Sequence, residues 1–125
     1  MTKLFIIDDD PLDRMLMKLA IEKLNEDYVV IELDGAKGAI ASIKEEQPIA
    51  TLLDMRMPEV DGIALLKSMR ETKGLRSHPV FMVSGSSEPS DRELAVECGA
   101  NRFFTKPSSL SGYEELAKDI LSHIH

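Results

Sequence analysis

Residues 51–62 read TLLDMRMPEVDG, and with Ile49 and Ala50 in front they form an apolar run that ends abruptly on Asp54. The run is apolar at successive positions rather than at alternate ones. A strand of that kind is covered on both faces, as in a parallel sheet sandwiched between helices. Asp54 is no plausible cap for a helix, so its place at the end of a buried strand calls for another reason.

Four more short apolar runs stand at 4–7, 29–33, 80–83 and 102–105. Between them lie stretches with helical spacing. Leu12, Met15, Leu16, Leu19, Ala20 and Leu24 form the first, and Ala36, Ala39, Ile40 and Ile43 the second. Ile63, Leu66 and Met69 follow, then Leu94, Ala95 and Cys98, then Leu116, Ala117, Ile120, Leu121 and Ile124. Helix starts are marked. Asp10 can cap the first helix with Pro11 at its first position, where a missing N–H costs nothing. Ser90 with Glu93 and Ser111 with Glu114 fit capping boxes, Asp34 and Asp61 read as caps, and Gly74 and Gly99 stand where helices should stop. Five βα units in series predict an α/β fold, a parallel sheet with right-handed crossovers and helices on both faces.

Composition narrows the function. At 125 residues the chain is the size of one domain. A net charge of −7 argues against direct nucleic-acid binding. No apolar run is long enough to span a bilayer, the N-terminus lacks the pattern of a signal peptide, and the lone Cys98 allows no internal disulfide. A cytoplasmic domain with reduced thiols is expected. Cys98 reads as a small hydrophobe and the seven methionines as core filler or incidental surface. His78, His123 and His125 share no metal-binding spacing.

In open α/β sheets the site lies beyond the carboxyl ends of the strands. The first strand ends in Asp8 and Asp9, the third in Asp54, the fourth in Ser84, and the fifth leads into Lys106. If the first and third strands are neighbours, three carboxylates converge. At about 5 Å apart they repel by roughly 3 kcal/mol per pair at an effective dielectric near 20. A hard divalent cation relieves that, and Mg²⁺ suits carboxylates combined with waters and a phosphoryl group. With the Ser84 hydroxyl and the Lys106 ammonium beside it, the set suits a phosphoryl group, with a carboxylate able to attack phosphorus.

IIDDD at the first strand's end, LLDMRMPEVDG around Asp54, VSGS around Ser84 and FFTKPSS around Lys106 resemble the receiver domain of two-component response regulators. The resemblance covers essentially the whole chain, with the motifs in order. It implies the flavodoxin-like (βα)5 doubly wound sheet, strand order 2-1-3-4-5, and Asp54 as the phosphoacceptor. By the same resemblance Asp9 is a direct Mg²⁺ ligand and Asp8 a ligand largely through water. Asp54 and the backbone carbonyl of Arg56 complete the set. Ser84 is the switch hydroxyl, Lys106 neutralises a phosphoryl oxygen ahead of a cis Lys106–Pro107 bond, and Phe103 is the aromatic switch. The implied donor is a sensor histidine kinase or histidine phosphotransfer protein. The implied output face comprises the fourth helix, fifth strand and fifth helix, and the signal would pass on through a partner protein, a next phosphorelay member or a second copy of the phosphorylated chain. The fifth unit runs to the C-terminus, so a stand-alone receiver domain over 1–125 without an output domain is expected.

This chain departs from the common pattern in four places. Ser84 replaces threonine, Phe103 lacks a phenol oxygen, and Arg56 and Ser86 flank the path of a hydrolytic water. Arg56 is therefore expected to tune the lifetime of the phosphorylated state. The nearest rival reading is a Mg²⁺-dependent phosphohydrolase of the haloacid dehalogenase type. Asp8-Asp9-Asp10 formally supplies its DxD, but Leu12 is out of pattern and no acidic pair follows Lys106. A phosphate-independent receiver-like module would be expected to lose part of the acid set. A flavin-binding module would need a phosphate loop after the first strand. The expectation is a phosphoacceptor without turnover of a separate substrate.

Overall fold

The computed structural model describes residues 1–124, so His125 lies outside it. Strands and helices alternate throughout: β1 (Thr2–Ile7), α1 (Pro11–Leu24), β2 (Tyr28–Leu33), α2 (Ala39–Glu46), β3 (Ala50–Asp54), α3 (Gly62–Glu71), β4 (Val80–Ser84), α4 (Pro89–Glu97), β5 (Arg102–Thr105) and α5 (Leu110–Ser122). The strands form one sheet in the order β2-β1-β3-β4-β5, and every neighbouring pair is parallel. This is the expected flavodoxin-like arrangement, and it places β1 and β3 side by side where the winding reverses.

Strand alternation divides the core in two. Phe5, Ile7, Leu53, Val80 and Met82 pack toward Ala39 and Ile43 of α2, Ile63, Leu66 and Met69 of α3, and Ala95 of α4. Leu4, Ile6, Leu52, Phe81 and Val83 pack toward Met17, Ala20 and Ile21 of α1 and Tyr113, Leu116, Ala117 and Ile120 of α5. With both faces covered, β3 and β4 are buried along their whole length. Among the described residues no helix is long and apolar enough to cross a membrane.

Local details depart from the sequence reading in several places. Along α1 the sheet takes Met17, Ala20 and Ile21, while Leu12, Met15, Leu19 and Leu24 are exposed. Two apolar sets with helical spacing run along this helix. Asp10 caps the helix as expected, its side chain accepting from the Leu12 and Asp13 amides. Asp34 caps nothing, because α2 begins at Ala39 behind Gly38, whose φ of 72° needs no side chain at the turn. Pro89 takes the first position of α4, which leaves Ser90 inside the helix and Glu88 as a cap without a side-chain bond. For α5 the cap is Ser109, accepting from Gly112 N at 3.1 Å, not Ser111.

The stops fare better. Gly99, at φ 103°, donates to Val96 O while Ala100 donates to Ala95 O, the paired bonds that close a helix through a left-handed residue. Gly74 follows two residues beyond the α3 cap Thr72, also at positive φ. The Lys106–Pro107 bond is trans, as are all described peptide bonds, in keeping with the trans preference of about 0.5–1 kcal/mol even before proline.

Candidate functional site

The site stands on the carboxyl ends of adjacent strands. Asp8 directly follows β1, and its amide donates to Leu33 O of β2, which holds it in line with the sheet. Asp54 is the last residue of β3, in register with Val83 of β4. Both carboxyl groups are buried, each 6% exposed, whereas Asp9 is exposed at the rim. Oxygens of Asp8, Asp9 and Asp54 lie within 4.8 Å of one another. Three hard oxygen donors at that spacing fit a divalent cation far better than they fit each other.

Lys106 enters from the end of β5, where its backbone amide donates to Ser84 O at 2.7 Å. Its ammonium lies 2.9 Å from Asp8 Oδ2 and 3.3 Å from Asp54 Oδ1. These charges reset one another. Burial pushes the Asp8 carboxyl above its ordinary pKa of 3.8. Burial, then the neighbouring Asp8 charge, push Asp54 up to about 7, against the pull of Lys106. Burial works against the Lys106 charge, but hydrogen bonds to Asp13 and Asp8 outweigh it and hold the ammonium above its ordinary range.

The remaining expected residues surround this cluster. Ser84 ends β4 and is 1% exposed; its Oγ accepts from Ser86 N at 3.1 Å. Phe103 is buried in the core shared with α2, α3 and α4, and the Arg92 guanidinium of α4 lies 5.1 Å from its ring centroid. Arg56 projects into solvent and pairs with Asp91, in the first turn of α4, at 2.9 Å. It thus connects the residues after Asp54 with α4.

Several site residues escaped the sequence reading. Asp13 binds Lys106 Nζ at 2.9 Å and accepts from the Tyr113 hydroxyl at 3.0 Å. The available signal was an acid in the first turn of a helix, which is ordinary there. Gly62 is a second: a Cβ on it would run into the Asp54 carbonyl, and its amide donates to Met55 O at 3.0 Å. The β3–α3 connection therefore folds tightly back on the strand end. It does so through Glu59, which takes φ 67° while Val60 N donates to Pro58 O, a turn that L side chains rarely adopt.

The family model described as the response regulator receiver domain matches residues 4–118. Among curated proteins, the transcriptional regulatory protein KdpE of Mycobacterium tuberculosis is 31% identical over 113 residues, covering 90% of this chain and 48% of that protein. The chain spans about half the length of several curated regulators that it matches. Among solved structures, the phosphorylated cyanobacterial phytochrome response regulator RcpA superposes with a TM-score of 0.86 at 25% identity, covering 95% of this chain and 90% of that one. The Mn(2+)-bound form of response regulator Rcp1 gives 0.85 at 22% identity, over 98% and 93% of the two chains, and shares the fold.

Proposed function

The chain belongs to the response regulator receiver domain family, the phosphoacceptor modules of two-component signalling, and on that premise we propose that it takes a phosphoryl group onto Asp54. The observation that carries this reading is the convergence of Asp8, Asp9 and Asp54 at the β1/β3 winding reversal, with Lys106 3.3 Å from Asp54. A carboxylate oxygen of Asp54 attacks phosphorus of a phosphohistidine on a kinase or phosphotransfer protein. The P–N bond breaks, and the leaving imidazole keeps the electron pair and takes a proton. Lys106 offsets charge on the transferring group, and the Ser84 hydroxyl donates to one of its oxygens. A bound Mg²⁺, held by Asp8, Asp9, Asp54 and the Arg56 carbonyl, would neutralise further phosphoryl charge and orient its oxygens. Water later cleaves the acyl phosphate, with Arg56 and Ser86 beside its approach.

The signal leaves through α4, β5 and α5. Ser84 turning toward the phosphoryl group vacates space that Phe103 fills, which shifts a pre-existing equilibrium at the face bound by a protein partner or a second copy. Intact-mass analysis after incubation with acetyl phosphate, with and without Mg²⁺, tests the central claim. One phosphoryl adduct that requires both Mg²⁺ and Asp54 is the expected result. An adduct that survives Asp54→Asn and maps to Asp8, or turnover of phosphate esters, would instead mark a hydrolase.

A further inference from the structure

The Lys106 ammonium is shared by three carboxylates: Asp8 Oδ2 at 2.9 Å, Asp13 Oδ2 at 2.9 Å and Asp54 Oδ1 at 3.3 Å. Of the three, the contact with Asp13 has the geometry of a hydrogen bond, and the other two are ion pairs by distance. Asp8 and Asp54 belong to the acid cluster. Asp13 does not; it sits on α1, and its other oxygen accepts from the Tyr113 hydroxyl of α5 at 3.0 Å. Tyr113 is itself 4% exposed and fixed in the core beneath the site.

We propose that Asp13 is a positioning residue for phosphoryl transfer, holding Lys106 over Asp54 while Tyr113 holds Asp13. The inference rests on Asp54 being the phosphoacceptor. A lysine carries its charge on a flexible four-carbon stem, so its partners decide where the charge stands. Asp8 and Asp54 are poor fixed partners, because their charge is redistributed when a cation or a phosphoryl group arrives. Asp13 is outside that exchange, and its second oxygen is tied down. A first-turn acid that served only the helix dipole would need neither the lysine, 93 residues away, nor the tyrosine, 100 residues away.

Two readouts decide the matter, using Asp13→Asn, Tyr113→Phe and Asp13→Glu. The first is the rate of acyl phosphate formation on Asp54 from acetyl phosphate and Mg²⁺. Asp13→Asn keeps an oxygen for the tyrosine but loses the charge, and should slow labelling about tenfold, the usual size for a lost charged hydrogen-bond partner. Asp13→Glu should recover part of the rate, which a merely structural role would not require. The second is residue-resolved lysine acylation without any phosphodonor. Lys106 should react several-fold faster in Asp13→Asn, while exposed Lys44 and Lys73 keep their wild-type rates. Tyr113→Phe removes one hydroxyl from an intact ring and should move both readouts the same way by less. That variant decides the case if Asp13→Asn fails to fold. Normal labelling of wild type with unchanged rates in the variants would overturn this inference alone. Failure of wild type to take a phosphoryl group would overturn the function proposed above and this inference with it.

Discussion

Replacing Asp54 with asparagine should stabilise the cation-free protein, by an amount that grows as the pH rises. Asp54 ends a strand buried on both faces, with Asp8 and Asp9 oxygens within 4.8 Å and Lys106 at 3.3 Å as an offsetting charge. Its pKa stands at about 7 against an ordinary 3.8, raised by burial and then by Asp8. A carboxyl raised in this way ionises more easily in the unfolded chain. The folded state therefore has its full advantage below about pH 4 and loses it as the pH climbs through 7. The whole interval corresponds to roughly 4 kcal/mol. Between pH 5 and pH 8 wild type should give up roughly 2–3 kcal/mol that the variant keeps. For a domain of this size that is about 8–11 °C in Tm. His78 acts in the opposite sense: burial, and then Arg70, lower its pKa from 6.5 to about 4, so it removes stability as the pH falls through that window. Comparing variant with wild type at each pH cancels the histidine. Calorimetry in EDTA at pH 5 and pH 8 makes the measurement. A difference that does not change with pH, or a variant melting below wild type at pH 8, would refute the reasoning. Saturating Mg²⁺ should shrink or reverse the gap, because the cation removes the repulsion that asparagine removes.

Gly62→Ala should destabilise the fold by about 2 kcal/mol in urea and slow labelling of Asp54, since the new methyl meets the Asp54 carbonyl rather than a yielding side chain; unchanged stability would show that the β3–α3 connection can relax away. Arg56→Ala breaks an exposed pair with Asp91, so Tm should scarcely move, within about 0.5 kcal/mol, while the half-life of the acyl phosphate changes. An unchanged half-life would remove Arg56 from the account of hydrolysis. Arg70 sends Nε and Nη2 to Gly99 O and Nη1 to Leu75 O, joining the end of α3 to the turns before β5 and β4. Arg70→Lys keeps a charge but not the fork and should cost about 2 kcal/mol in chemical denaturation; full retention of stability would mean that a single contact suffices.

The fold was legible because its strands lack alternation. β3 and β4 are apolar at successive positions, which only two covered faces explain, and the strand ends then led to Asp8, Asp54, Ser84 and Lys106. Less legible were choices among equals. α1 carries two apolar sets with helical spacing, and nothing local says that the sheet takes Met17, Ala20 and Ile21 over Leu12, Met15 and Leu19. The starts of α4 and α5 slipped for a related reason. Serines are dense there, and Pro89 and Ser109 outcompete the nearby boxes for the first turn.

Asp54 and Asp13 show where such reading stops. Asp54 announced itself by breaking a local rule, an acid closing a buried strand, and such conflicts concentrate at functional sites. Asp13 breaks no rule. An acid in the first turn of a helix is favourable as it stands, so its local fitness conceals the bonds to Lys106 and Tyr113. Periodicity reports neighbours a few residues away, whereas these pairs exist only once the sheet has brought α1 and α5 together on one face. Arg70 is hidden in the same way, since its chief partner, Gly99, lies 29 residues further on. Residues of this kind obey local preference while serving a distant group, and finding them takes the distances between side chains rather than the order of letters.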